Sequence, residues 1–383
     1  MVVVELRIMQ FTPQRIERVH RAMKSEDAEA LVVTRRQDVR YLTGYESPTN
    51  TLPTGCVIIM NEQPQLVMSS LQHEALGHNS IMAQVHPIDD KPFDEWGLYR
   101  SAKFWDSVVK ILEDSGIENG MIGLQQERLS VKEFEYLKTK IPGAGFKDLS
   151  SLLWRLRQVK DDAEIEAIRK AVKVAEIGIR TALEIIAPGK TEADASIEIE
   201  AAMRAAGGQL RGIRAAVLSG NRGRFPFAQP TANRIGKNEP VVIDVTVSES
   251  GYFAEVARTL HTGSPKESQQ KAYDAVLRAC KAAEDKMTAG AGVSDVYGRV
   301  AKKVGKKTPI SSFLQPLGNS IGLDLQEPPL MVSFSKASLR EGMVLSLHPT
   351  YYHEGVGAAK IGDMFLITSD GYENLSTISR ETM

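Results

Sequence analysis

Two apolar runs, residues 241–247 and 252–260, separated only by Ser248, Glu249, Ser250 and Gly251, constrain this chain more than any other feature. Segments rich in Val, Ile, Phe and Tyr around a short glycine-containing break read as a β-hairpin, which commits this part of the chain to an antiparallel sheet. Each run carries one carboxylate where burial is otherwise expected: Asp244 in the first and Glu255 in the second. Alternation puts Asp244 with Val242 and Thr246, and Glu255 with Phe253 and Ala257; across a tight hairpin the two sets share a face. Two carboxylates in a poorly hydrated cleft must bind a cation, share a proton or meet a basic partner, because like charges raise one pKa. The plainer account is an ion pair with Arg258 or another basic side chain.

Upstream the rhythm differs. Thr12 followed by Pro13 starts a helix over 14–25, with Ile16, Val19 and Met23 on one stripe. Strands are expected at 30–34, 55–60, 64–69 and 121–124, a turn at 39–44 and a helix over 96–114, an alternation that describes a small mixed sheet flanked by helices. No glycine-rich phosphate loop occurs here, and His20, His73, His78 and His86 are scattered, as solvated or locally bonded side chains would be. Residues 149–157 then lead into Lys160, Asp161, Asp162 and Glu164. Beyond them Ile165, Ile168, Val172, Ala175 and Ile179 recur at helical spacing, a long amphipathic helix whose acidic first turn suits the helix dipole. Pro188 and Gly189 stop it, and Thr191 with Glu192 begins another that ends at Gly207 and Gly208. Helices over 266–287 and 294–304 follow the hairpin. The expected division is 1–155 and 156–383, and 383 residues can supply two cores.

Charge narrows the function. Forty-seven basic and 48 acidic residues leave a formal charge of −1, which argues against a nucleic-acid or membrane-surface role. Cys56 and Cys280 are the only cysteines, too far apart in sequence to suggest a disulfide framework or thiolate cluster, and a reducing cytoplasm is expected. The run 1–9 is interrupted by Glu5 and Arg7 and is too short for a signal peptide or spanning helix.

Several segments in order carry a family likeness: LTGY at 42–45, LRQVKDDAEIEAIRKA at 156–171, LSGNRGRFPFAQPT at 218–231, the hairpin VVIDVTVSESGYFAEVARTLHTG, LGNSIGLDLQEPP at 317–329, LREGMVLSLHPTYY at 339–352 and IGDMFLITSDGYENLS at 361–376. Together they resemble the family of prolidase, aminopeptidase P, methionine aminopeptidase and creatinase. The resemblance implies an α+β protein: a smaller N-terminal mixed α/β domain followed by a C-terminal pita-bread domain with the cleft inside its curved sheet, paired as a homodimer.

It also implies a changed site. The family's metallopeptidases hold two divalent ions with two aspartates, a histidine and two glutamates. By the resemblance these positions fall on Asp244, Glu255, Asn319, His348 and Gly362, so one ligand type survives unchanged. The expectation is no metal cofactor, the alternative being one divalent ion on Asp244, Glu255 and His348. Histidines used by the family's peptidases fall on Phe227, Gln315 and Gln326, which cannot shuttle protons near neutral pH, while Glu327 persists. Creatinase, a metal-independent relative, uses the histidine replaced here by Phe227 and a glutamate replaced by Ala257, which disfavours creatine hydrolysis.

The expected activity is metal-independent hydrolysis or lysis of a C–N bond in a small anionic amide, dipeptide-like or amidino compound. The alternatives are a catalytically inactive small-molecule binder and an Xaa-Pro peptidase with a mononuclear metal. His348 is the expected acid or base, oriented by Asp244 or Glu255. Arg222 and Arg224, with Arg214 upstream, are candidates to clamp an anion. Phe225, Phe227 and Tyr252 could face an apolar portion of the ligand, and Gln315, Asn319, Gln326, Glu327 and His353 complete the candidate binding set.

Overall fold

The computed structural model describes residues 13–49, 52–76, 81–89, 102–305, 308 and 310–381. The cap at Thr12, the run 1–9, His78 and the start of the expected helix at Trp96 lie outside these. The chain divides into two compact units, Met1–Arg157 and Gln158–Met383.

In the first unit six strands form one sheet: β1 (Ala30–Val33), β2 (Thr54–Ile59), β3 (Gln65–Ser69), β4 (Gln84–Ile88), β5 (Met121–Leu124) and β6 (Gly145–Asp148). Their order is β4-β3-β2-β1-β5-β6, with β1–β2 and β2–β3 antiparallel and the remaining pairs parallel. The helices are α1 (Pro13–Ser25), α2 (Arg36–Thr43), α3 (Ser70–Leu76), α4 (Ala102–Asp114), α5 (Val131–Lys140) and α6 (Ser150–Arg157). Phe104, Trp105, Val108 and Leu112 of α4 join Val32, Val57 and Ile122 of the sheet in one core. The turn expected at 39–44 is corrected: α2 occupies it, and only Gly44, with φ 76°, turns the chain by closing the helix in the left-handed region.

The second unit opens with α7 (Asp162–Ile185), where Asp161 and Glu164 form a reciprocal capping box, and α8 (Glu192–Ala205), capped by the Thr191 side chain. Then come β7 (Arg214–Ser219), β8 (Pro240–Glu249) and β9 (Tyr252–His261), an antiparallel sheet across which α7 packs. The hairpin strands run longer than their apolar stretches because the turn needs two residues alone. Ser250 and Gly251, with φ 48° and 77°, match the strand twist and let Glu249 pair with Tyr252. Helices α9 (Glu267–Glu284) and α10 (Val293–Val304) follow, then β10 (Gly318–Ser320), β11 (Glu327–Leu330), β12 (Val344–Leu347), β13 (Thr350–His353), β14 (Gly357–Lys360), β15 (Asp363–Ile367) and β16 (Tyr372–Asn374). A five-stranded antiparallel sheet runs β11-β10-β12-β15-β16, and β13 pairs with β14. A bridge between Ala257 and Gly362 connects β9 to the residue just before β15. Among the described residues no helix is long and apolar enough to cross a membrane.

Candidate active site

The hairpin register pairs Asp244 with Ala257 and Thr246 with Glu255, so the two carboxylates are diagonal neighbours on one face. What stands between them is Lys360, the last residue of β14. Thr259 on β9 fixes its backbone from both directions: the Thr259 hydroxyl accepts from Lys360 N at 2.8 Å and donates to Lys360 O at 2.9 Å. Ile361, next along, is buried in the core with Val276 and Leu345, and alternation then sends Lys360 toward the carboxylates. Its Nζ donates to Asp244 Oδ2 and to Glu255 Oε1, each at 2.9 Å.

Glu255 and Lys360 are buried, and their surroundings hold both in the charged form. Burial alone would raise the Glu255 carboxyl, but the charges of His348 and Lys360, with hydrogen bonds from Lys360 and Ser346, outweigh it and hold the group well below the ordinary carboxylate range. Burial alone would lower Lys360; the charges of Asp244 and Glu255 and the hydrogen bonds to both outweigh it and hold the ammonium above the ordinary 10.5. The crowding anticipated for two carboxylates is therefore relieved by a basic partner. That partner is not Arg258, which turns to the opposite side and donates to Asp363 Oδ1 at 2.7 Å.

Ser346 on β12 donates to Glu255 Oε2 at 3.0 Å. His348, just past that strand, has Nε2 3.9 Å from Glu255 Oε2 and 3.1 Å from Asn319 Oδ1. Asn319 gives both amide hydrogens to backbone carbonyls, Ser320 O at 2.8 Å and Leu325 O at 3.0 Å. Its oxygen must then face the imidazole, which assigns the proton to Nε2 and leaves Nδ1 with the lone pair in neutral His348. Arg214 Nη1 stands 3.9 Å from Asp244 Oδ2. Asp244 Oδ1 is buried with no hydrogen-bond partner among the described residues.

Asp244, Glu255, Lys360, His348, Asn319 and Arg214 line a cavity of about 600 Å³. Of the residues singled out in the sequence, Asp244, Glu255, His348, Asn319, Gln315, Gln326, Phe227 and Arg214 lie on it, Phe227 with 83 % of its surface exposed. Six candidates do not line it, Phe225 and Tyr252 among them, and the other four have their polar groups engaged elsewhere. Arg222 donates through Nε to the buried Glu192 at 3.0 Å and through Nη2 to Gln229 O at 2.8 Å. Arg224 pairs with Glu354 at 3.2 Å and stacks on Phe225. Glu327 is buried against Lys160 at 3.2 Å. His353 is exposed and donates from Nδ1 to Glu354 O at 2.6 Å. Tyr252 points into the interior, donating to Glu164 Oε1 at 2.9 Å. Sequence reasoning missed Lys360 and Ser346; the signal for Lys360 was a lone charge within the otherwise uncharged run 355–362.

A mixed α/β domain followed by antiparallel sheets with helices against them, carrying this carboxylate cleft, defines the pita-bread class of hydrolase-like proteins. Residues 166–369 match metallopeptidase family M24 and residues 15–159 the creatinase/prolidase N-terminal domain, and the chain belongs to that family. It is 27 % identical to the Xaa-Pro dipeptidase of Pyrococcus furiosus over 371 residues, covering 97 % of this chain and 99 % of that one. The solved prolidase from Pyrococcus furiosus superposes with a TM-score of 0.80 at 25 % identity, covering 94 % of this chain and all of that one. The X-Pro aminopeptidase from Thermotoga maritima gives 0.83 at 22 %, covering 96 % and 98 %, a likeness of fold.

The residues present do not fit the two divalent ions that this family implies. An ammonium holds one oxygen of each hairpin carboxylate, and the Asn319 oxygen is taken up by His348 Nε2 at 3.1 Å. Gly362 offers no donor, and a Cβ there would stand 2.9 Å from Ala257 N, closer than real contacts allow. Among the described residues no group of three or more His, Cys, Asp or Glu side chains is disposed to hold a metal ion.

Proposed function

We propose that this protein hydrolyses or lyses a C–N bond in a small carboxylate-bearing amide, dipeptide-like or amidino compound without a divalent metal. One observation carries the reading: a charged lysine, fixed by two carboxylates, shares a cavity with a histidine whose tautomer is set by Asn319. Lys360 has a third N–H beyond the two given to Asp244 and Glu255, and that donor polarises the carbonyl or C=N group under attack, the part played by a Lewis acid elsewhere. His348 Nδ1 takes the proton of the attacking water and returns it to the departing nitrogen, so the new C–O bond forms as the C–N bond breaks and no other reactant is needed. Arg214 meets the substrate carboxylate, in place of Arg222 and Arg224, and Asp244 Oδ1 accepts an N–H of the substrate.

The experiment is a thermal-shift screen of small anionic amides, dipeptides including Xaa-Pro, and amidino compounds in EDTA, with C–N cleavage of each hit followed by NMR. Turnover in EDTA that falls by about 10²-fold or more in a folded His348→Ala variant supports the proposal. Turnover that needs added manganese, cobalt or zinc, or that survives in His348→Ala, overturns it. Binding without any turnover would assign the cleft to a small-molecule binder.

A further inference from the structure

We infer that the ligand of this cleft is an N-acylated amino acid with an apolar acyl chain, an inference that rests on the hydrolase reading above and names its substrate class. The cavity has two chemically different ends, set by the register of β7 on β8. Arg214 lies opposite Thr246, Ala216 opposite Asp244 and Leu218 opposite Val242. Paired residues share a face, so Arg214, Ala216 and Leu218 follow one another along the cavity wall. Four residues of strand separate the arginine from the leucine by about 13 Å. At the first end Arg214 Nη1 stands 3.9 Å from Asp244 Oδ2, and its guanidinium suits a carboxylate. At the other end Leu218 and Val242 are buried, and the loop after β7 lies against them. A Cβ on Gly223 would stand 3.6 Å from Val242 Cγ2, and Pro226 and Phe227 continue the apolar lining.

The reacting groups lie between those ends and set the direction of the bound amide. Asp244 Oδ1, buried and without a partner among the described residues, accepts the amide N–H, and the same carboxylate faces Arg214. The amide nitrogen and the ligand's carboxylate then share one side, and the acyl carbon points toward Leu218 and Val242. That is the polarity of an N-acylated amino acid; a monoamide with its carboxylate on the acyl side has it reversed. A free dipeptide would bring an ammonium to the acyl side, where the wall is apolar. The carboxylates on the described lining are Asp244 and Glu255, both bonded to Lys360, and burying an unpaired charge there is costly. An amidinium meets the same obstacle. Hydrolysis forms a C–O bond from water, breaks the amide C–N bond and moves a water proton to the departing nitrogen. The products are a free amino acid and an apolar carboxylic acid.

The test is titration calorimetry on His348→Ala and thermal shift on the wild type, both in EDTA. The probes are N-acetyl-, N-butyryl-, N-hexanoyl- and N-octanoylglycine, N-hexanoylglycinamide and the dipeptide Leu-Gly. Affinity should rise about 4-fold for each CH₂ that the wall buries. The glycinamide should bind about 10-fold or more weakly than its acid, and Leu-Gly more weakly than N-hexanoylglycine. Arg214→Gln should bind acid and amide alike, and Phe227→Ala, at an exposed position, should flatten the gain with chain length. Affinity that does not change with chain length overturns the inference, as does an amide equal to its acid or a Leu-Gly equal to N-hexanoylglycine. The wild-type series alone decides this if a variant does not fold. Chain-length-dependent binding of ligands that are never cleaved supports this ligand class while the hydrolase fails. Cleavage in EDTA confined to free dipeptides or amidino compounds overturns the class while the hydrolase stands.

Discussion

Gly362 and Ala257 face each other across a closed pair of backbone hydrogen bonds, with no room for a side chain on the glycine: a Cβ would meet Ala257 N at 2.9 Å and Ala257 Cβ at 3.0 Å. The obstacle is backbone, which cannot rotate aside as a side-chain tip could. Gly362→Ala should destabilise the protein by about 1–3 kcal/mol through overpacking, read as a lowered urea midpoint. Gly362→Glu should cost no less and should not by itself create an ion site, because Lys360 remains.

Stability on the acid side should depend on Glu255. Its folded-state pKa is depressed below the ordinary 4.5, so its contribution is complete above about that pH and is lost as pH falls toward the folded value. Lys360 is raised above 10.5, so its contribution is complete below that pH and is lost only as pH rises through the folded value. Neither titrates between pH 6 and 9 on these directions. Urea midpoints measured from pH 5 to pH 3 should fall less steeply in Glu255→Gln than in the wild type.

Lys160 and Glu327 form a second enclosed pair, each side chain 1 % exposed, and Lys160 also donates to Ser320 at 3.1 Å beside Asn319. Lys160→Met strands a buried carboxylate and should cost about 3–5 kcal/mol. Adding Glu327→Leu should recover part of that loss. Chemical denaturation of the two single variants and the double variant checks both statements through the coupling energy.

The imidazole proton of His348 should reside on Nε2. Nitrogen-15 spectra of the wild type near pH 8 should show that tautomer, while Asn319→Ala, which removes the accepting oxygen, should shift the population toward Nδ1–H. An unchanged tautomer in Asn319→Ala would mean that another group sets it.

Much of the architecture is local and was legible. Alternation in 241–247 and 252–260 put Asp244 and Glu255 on one face because strand side chains repeat every two residues whatever surrounds them. The acidic start of α7 and the Thr191 cap were readable for the same reason: their partners lie three residues away. Residues 39–44 misled because a short helix closed by Gly44 offers little periodicity, and a glycine there serves a turn or a helix end equally well.

The sequence by itself determined the paired strands, the two carboxylates and the absence of a donor at 362. Only the tertiary structure decided what neutralises those carboxylates and which arginine meets the cavity. Lys360 lies 116 residues from Asp244 and 105 from Glu255, and it reaches them because Thr259 and the Ala257–Gly362 bridge sew β14 and the residues after it to β9. Arg222 and Arg214 look alike in sequence; a buried Glu192 claims the first, while the second is left beside Asp244. Contacts at such separations depend on how strands from distant parts of the chain are brought side by side, and no local periodicity encodes that.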